Sequence, residues 1–187
     1  MSTSAPLNYR IRDGLARDID ACLALDHTYT TQHVWQMQIA QEEPDHWEIS
    51  FKLERLPRLL ETIYPADAVR LQAAVPASQC FLIATRRDES ELLGYLTMQA
   101  DDLRRIGLIT DVVVAREHRL NGVGRRLVLI AGQWARERAL TRLMIETQTK
   151  NYPGISFCRQ MGFVYCGFND RYFPNQDIAV FFSQSLR

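Results

Sequence analysis

The segment DVVVAREHRLNGVGRRLVLIAGQWARERAL, residues 111–140, constrains this chain more than any other. Three consecutive valines close an apolar run and read as a buried strand. Gly122 and Gly124 then punctuate the chain. Beyond them Leu127, Ile130, Ala131 and Trp134 recur at helical spacing. A helix that begins at such a turn presents unpaired backbone N–H groups and a partial positive charge, so an anion is stabilised there without any charged side chain. Glycine lets a phosphate come close to those amides. Arg116, Arg119, Arg125 and Arg126 surround the turn and suit a diphosphate. The chain as a whole carries 22 basic and 22 acidic residues, so this positive site is local. A net charge of zero gives no ground for nucleic acid or an anionic membrane as partner.

The flanking sequence supplies a fold for this junction. Alternation in NYRIRDG predicts a first strand, and ARDIDACLALD a helix carrying Ile19, Cys22, Leu23 and Leu25 on one side. Two runs of period two, VWQMQIA and WEISFKLE, are joined by the turn signal QEEPD and predict a hairpin at about 33–56. PADAVRLQAAVP predicts a short helix ended by Pro76. CFLIATR, LLGYLTMQA and GLITDVVVA follow as strands, then the helix after Gly124. RLMIETQ is a strand, GISFCRQMG a helix stopped by Gly162, and FVYCGF and DIAVFFSQSL are closing strands. Antiparallel strands followed by β-α-β-α-β predict an α+β or mixed α/β fold: one domain over 1–187, with a mostly antiparallel twisted sheet of about seven strands and helices on both faces.

Two familiar phosphate sites fail on their own terms. A P-loop requires Lys-Ser/Thr after its second glycine, whereas Gly122 is followed by VGRR. A dinucleotide turn requires a third Gly or Ala where Leu127 stands, and an acid on the next strand for which Glu146 is a poor fit. The pattern Arg119-x-x-Gly122-x-Gly124 instead resembles the acetyl-CoA motif of the GCN5-related N-acetyltransferase (GNAT) superfamily. DVVVAREHRLNGVGRRLV resembles that family's fourth strand, pyrophosphate loop and third helix. RLMIETQTKN resembles its fifth strand and following asparagine, and GISFCRQMGFVYCGF its A-x-x-F-Y-x-x-x-G-F segment. The likeness runs unbroken from 106 to 168. CFLIATRRDESELLGYLTMQA and YRIRDGLARDIDACLALD are similar to earlier elements of the family. Within the superfamily the chain looks most like streptothricin acetyltransferase-like members.

The resemblance implies an acetyl-CoA-dependent N-acetyltransferase in which an amine attacks the thioester directly, in a ternary complex. It implies a bulge in the strand before the loop, with the Val112 amide on the acetyl oxygen and Val113 and Val114 along the pantetheine arm. Backbone amides of Leu120, Asn121, Gly122, Val123, Gly124 and Arg125, with Arg119, hold the diphosphate. Asn151 bonds the pantetheine arm or the adenine end. One position departs from the family: Cys158 stands where a tyrosine acid is usual. Cys158 itself, a nearby tyrosine (Tyr152, Tyr165 or Tyr172), water, or no acid at all would meet the need, because a thiolate leaves tolerably well unprotonated. A small buried helix residue is the plain alternative for Cys158. Asp111 and Glu146 are the carboxylates placed to accept the amine proton.

The remaining features add limits. Cys22, Cys80, Cys158 and Cys166 have neither disulfide nor metal-ligand spacing, and no metal site is expected. MSTSAPLNYRIRDG lacks an apolar core, so neither a signal peptide nor a membrane segment is expected, and a cytoplasmic location follows. His27, His33, His46 and His118 have no ligand or triad spacing; His118 is placed to add charge beside the phosphates. Tyr29, Trp35, Trp47 and Phe51 either line an acceptor pocket or pack a lid. The acceptor amine, small molecule or peptide, is not specified. Assembly as a homodimer is compatible with the sequence. A non-catalytic acyl-CoA-binding or sensing domain is the competing function, resting on Cys158 alone.

Overall fold

The computed structural model describes residues 8–186, with Glu42 in its backbone only; residues 1–7, where a leader was looked for, lie outside the described residues. Nine strands form. Seven make one sheet, in the order β1 (Tyr9–Asp13), β4 (Cys80–Arg86), β5 (Leu92–Asp101), β6 (Ile106–Val114), β7 (Arg142–Gln148), β9 (Ala179–Ser185) and β8 (Val164–Asn169). β2 (Thr28–Glu43) and β3 (His46–Ile63) pair only with each other. The β1/β4, β4/β5 and β5/β6 pairs are antiparallel, and β6/β7 is parallel. This is the mixed, mostly antiparallel sheet expected from the order of elements. The chain divides into two compact units, one of residues 1–27, 66–145 and 183–187, the other of 28–65 and 146–182.

The first unit holds β1, β4, β5 and β6 with α1 (Ile19–Leu23), α2 (Ala68–Ala73) and α3 (Val123–Glu137). Its strands are apolar on both faces, so Leu82, Ile83, Leu93, Tyr95, Leu96, Met98 and Ile109 are all buried. α3 buries Val123, Leu127, Val128, Ala131 and Ala135 along one stripe. Trp134 is half-buried, and the Arg138 guanidinium lies over its ring at 3.7 Å. Asp67 caps α2 by accepting the Val69 and Arg70 amides at 2.6 and 3.1 Å, which fixes the turn carrying Arg70. Gly94 allows close approach to β6: a Cβ there would stand 2.4 Å from the Val113 carbonyl oxygen.

The second unit holds the hairpin, α4 (Tyr152–Gln160) and β8. The hairpin is longer than the expected 33–56, because TYTT pairs with LETI, residues 60–63, as well. Period-two reading misses that extension where the register breaks: Thr31 pairs Leu60, yet His33 pairs Arg55. Pro57 lies in the interruption, lacking the N–H a ladder needs. The expected apolar faces do meet, with Trp35 opposite Leu53, Met37 opposite Phe51 and Ile39 opposite Ile49. A two-stranded ribbon is marginal by itself. Here Trp35 and Phe51 join Tyr165, Phe168 and Phe182 in an aromatic cluster with centroids 5.6–6.1 Å apart. Each such pair adds about 0.5–1.5 kcal/mol beyond area burial, enough to anchor the ribbon. Trp47 lies outside the cluster and is 59% exposed. Gly162, with φ 84°, closes α4 as expected.

Candidate active site

The site residues in the first unit are mainly backbone. β6 carries one residue more than β5 at a single point: Met98 pairs Ile109, while the adjacent Thr97 pairs Asp111. Thr110 is the extra residue of a β-bulge. Beyond it the register runs Leu96–Val112, Tyr95–Val113, Gly94–Val114, and the Ala115 amide donates to the Leu93 carbonyl at 2.9 Å. In an antiparallel pair the bonded positions alternate. Val113 therefore bonds β5, and the N–H and C=O of Val112 and Val114 point away from it. On that other side the ladder with β7 stops at the Ile109–Ile145 pair. The Val114 carbonyl accordingly accepts from Arg119 Nε at 3.0 Å.

The loop that follows is equally unspent. No amide from Leu120 to Arg125 donates to a backbone acceptor among the described residues; the first bond of α3 is Arg126 N–H to Gly122 C=O at 3.0 Å. Gly122 supplies a left-handed φ of 82°, so its glycine is needed for conformation. Gly124 lies inside the first turn of α3 and has no positive φ, so conformation does not require glycine there. Leu120 is also left-handed, at φ 65°, and fully exposed. The Arg119 guanidinium also donates to the Asp26 carbonyl at 2.9 Å and so ties the loop down. His118 is buried, with Nε2 2.8 Å from Glu91 Oε1, instead of standing free for phosphates.

Asp111 is 2% exposed. Its Oδ2 accepts from the Thr97 hydroxyl, and its Oδ1 lies 3.7 Å from an Arg70 nitrogen, beyond hydrogen-bond reach. His27 is half-buried, its Nε2 3.0 Å from the Tyr95 hydroxyl, and burial pushes its pKa below the usual imidazole range.

In the second unit, Asn151 caps α4: its Oδ1 accepts the Gly154 N–H at 2.9 Å, which leaves Nδ2 to donate elsewhere. Cys158 is 1% exposed, and burial raises its thiol to about 12. It is the small packing residue that the alternative reading described. Glu146 is buried and accepts from the Tyr172 hydroxyl at 2.7 Å. The pairing of these two was not legible in sequence, where they stand 26 residues apart. Tyr29, read as an acceptor-pocket or lid residue, is buried and donates to Gln148 Oε1 at 3.0 Å. Gln148 Nε2 in turn donates to Asp177, which Lys150 pairs at 2.7 Å. No helix among the described residues is long and apolar enough to cross a membrane.

Comparison with known proteins agrees with this geometry. The family model for the acetyltransferase (GNAT) family matches residues 37–163. Streptothricin acetyltransferase of Streptomyces lavendulae is 28% identical over 173 residues, covering 89% of this chain and 87% of its own. Nourseothricin acetyltransferase, as a crystal structure, superposes with a TM-score of 0.80 at 27% identity, over 96% of this chain and 99% of that one. A Bacillus anthracis protein crystallised with acetyl coenzyme A superposes at 0.75, with 22% identity, over 95% of this chain and 98% of that one, and shares the fold.

Proposed function

The chain belongs to the GNAT acetyltransferase family, and on that premise we propose that its acceptor is a primary amine of a streptothricin-type compound. It is an acetyl-CoA-dependent N-acetyltransferase. The acceptor assignment rests on one observation: likeness to streptothricin and nourseothricin acetyltransferases runs nearly end to end, at 28% and 27% identity. A non-catalytic acyl-CoA sensor has no support from these relatives. Its only motive was the departure at Cys158, and a family member need not draw its proton from that position.

The roles follow from chemistry. The amine nitrogen attacks the thioester carbonyl carbon, the C–S bond breaks, and the thiolate leaves with coenzyme A. Negative charge grows on the carbonyl oxygen, and a preorganised N–H aimed there lowers the barrier. The outward Val112 amide is assigned this role, and the Val114 amide the pantetheine arm, with Val113 holding the strand between them. The unspent amides from Leu120 to Arg125 are assigned the diphosphate, with Arg119 as the group that positions them. Asn151 Nδ2 is assigned a bond to the cofactor. Glu146 is assigned the amine proton.

The test is release of free coenzyme A on mixing the protein and acetyl-CoA with streptothricin or with a panel of other amines. Saturable release with streptothricin is expected. Saturable release with another amine and none with streptothricin would overturn the acceptor assignment and leave the family intact.

A further inference from the structure

The bulge at Thr110 is held by a ring of side chains, and the ring explains residues that the reaction itself does not use. A bulged residue leaves the ladder, so its carbonyl needs another partner. Arg70, from α2, supplies it: its terminal nitrogen donates to the Thr110 carbonyl at 2.9 Å. The Thr110 and Thr97 hydroxyl oxygens lie 2.7 Å apart. Thr97 donates its only hydroxyl proton to Asp111 Oδ2, so the Thr110 hydroxyl is the donor to Thr97. Asp111 Oδ1 faces the Arg70 guanidinium at 3.7 Å, close enough for charge attraction though it takes no hydrogen bond among the described residues. Thr97, Thr110 and Asp111 are at most 8% exposed. Buried polar groups of this kind are costly unless they are satisfied together. A valine at 97 would serve a plain buried strand better.

Thr110 and Asp111 are the two residues immediately before Val112. Their conformation sets which way the Val112 N–H turns. We propose that Thr97, Arg70 and Asp111 are positioning residues that hold the bulge in the geometry that turns the Val112 amide out of the ladder, with Asp111 acting through Thr97 and not as the base. The proposal rests on the assignment of the Val112 amide to the acetyl oxygen. It gives a reason for a buried carboxylate at 111, held through Oδ2 by the Thr97 hydroxyl, with the Arg70 charge 3.7 Å from Oδ1.

The test combines kinetics with the amide signal of Val112. In the wild type, acetyl-CoA added to 15N-labelled protein should shift the Val112 amide resonance; no shift would remove the premise, whatever the ring does. Thr97→Val should lower kcat about tenfold to a hundredfold, below the full loss of an oxyanion donor, while the acetyl-CoA Kd by calorimetry changes less than about threefold. Thr97→Ser, which keeps the hydroxyl, should restore kcat to within about threefold of wild type. Arg70→Lys gives a milder second reading if Thr97→Val does not fold, and should lower kcat with the same unchanged Kd. Asp111→Asn should lower kcat and keep the acid limb of the kcat/KM profile. Unchanged kcat in Thr97→Val and Arg70→Lys, or loss of the acid limb in Asp111→Asn, would overturn the proposal.

Discussion

The stretch from Thr110 to Arg125 and the hairpin from Thr28 to Ile63 are built on opposite principles. The first presents main-chain groups: outward amides at Val112 and Val114, and amides from Leu120 to Arg125 that donate to no backbone acceptor among the described residues. Within it Arg119 ties the backbone down, donating to the Val114 and Asp26 carbonyls. The second is held by side chains: Trp35 and Phe51 against Tyr165, Phe168 and Phe182, and Tyr29 on Gln148. Function carried by backbone tolerates many side chains and few changes of conformation. Stability carried by side chains tolerates neither cavity nor lost partner, except where the chain is exposed.

The comparison can be broken at its strongest point first. Val112→Pro removes the outward N–H without costing a β5 bond. It should lower kcat about 10²–10³-fold, the scale of one lost oxyanion donor, with the melting temperature falling far less than activity. Val112→Ile should be nearly silent; if it were as damaging as proline, the role would lie in the side chain. In the hairpin unit the order reverses. Phe182→Ala, at a residue 1% exposed, should cost about 3–5 kcal/mol in denaturant unfolding. Trp47→Ser, at 59% exposure, should stay within about 0.5 kcal/mol. Equal costs for the two would mean that the aromatic cluster does not anchor the ribbon.

Smaller effects sharpen the contrast. Gly122→Ala meets no atom within 4 Å but must adopt φ 82°. Its penalty is backbone strain of about 1 kcal/mol, and acetyl-CoA should bind several-fold more weakly by calorimetry with kcat little changed. Cys158→Ala should leave kcat and its pH profile between about 6 and 9 as they are, because burial holds the thiol at about 12. Its effect belongs to stability. A thiol whose folded pKa is raised stabilises fully below its unfolded pKa of about 8.5, and that contribution is lost as pH rises toward 12. Unfolding of Cys158→Ala should therefore steepen less above about pH 8.5 than that of wild type. A fall in kcat without that change would return Cys158 to the mechanism.

Element types were legible because hydrophobic periodicity and glycine punctuation are local. GLITDVVVA, the Gly122 turn and the α3 stripe all stand where those patterns put them. The hairpin was legible only in part, because the bulged ladder around Pro57 breaks the alternation that betrays a strand. Cys158, marked by its departure from the family pattern, turned out to be core. Thr97 and Arg70 left almost no trace beyond a hydroxyl in an apolar strand and a charge on a six-residue helix.

The sequence by itself determined the elements, the glycine junction and the family to which they point, since each is written in residues close together along the chain. Tertiary structure alone decided which amides face out, which carboxylate meets which hydroxyl, and which carbonyls the motif arginine Arg119 meets. Those outcomes depend on strand register and on partners such as Arg70 and Thr110, 40 residues apart, whose meeting no local pattern records.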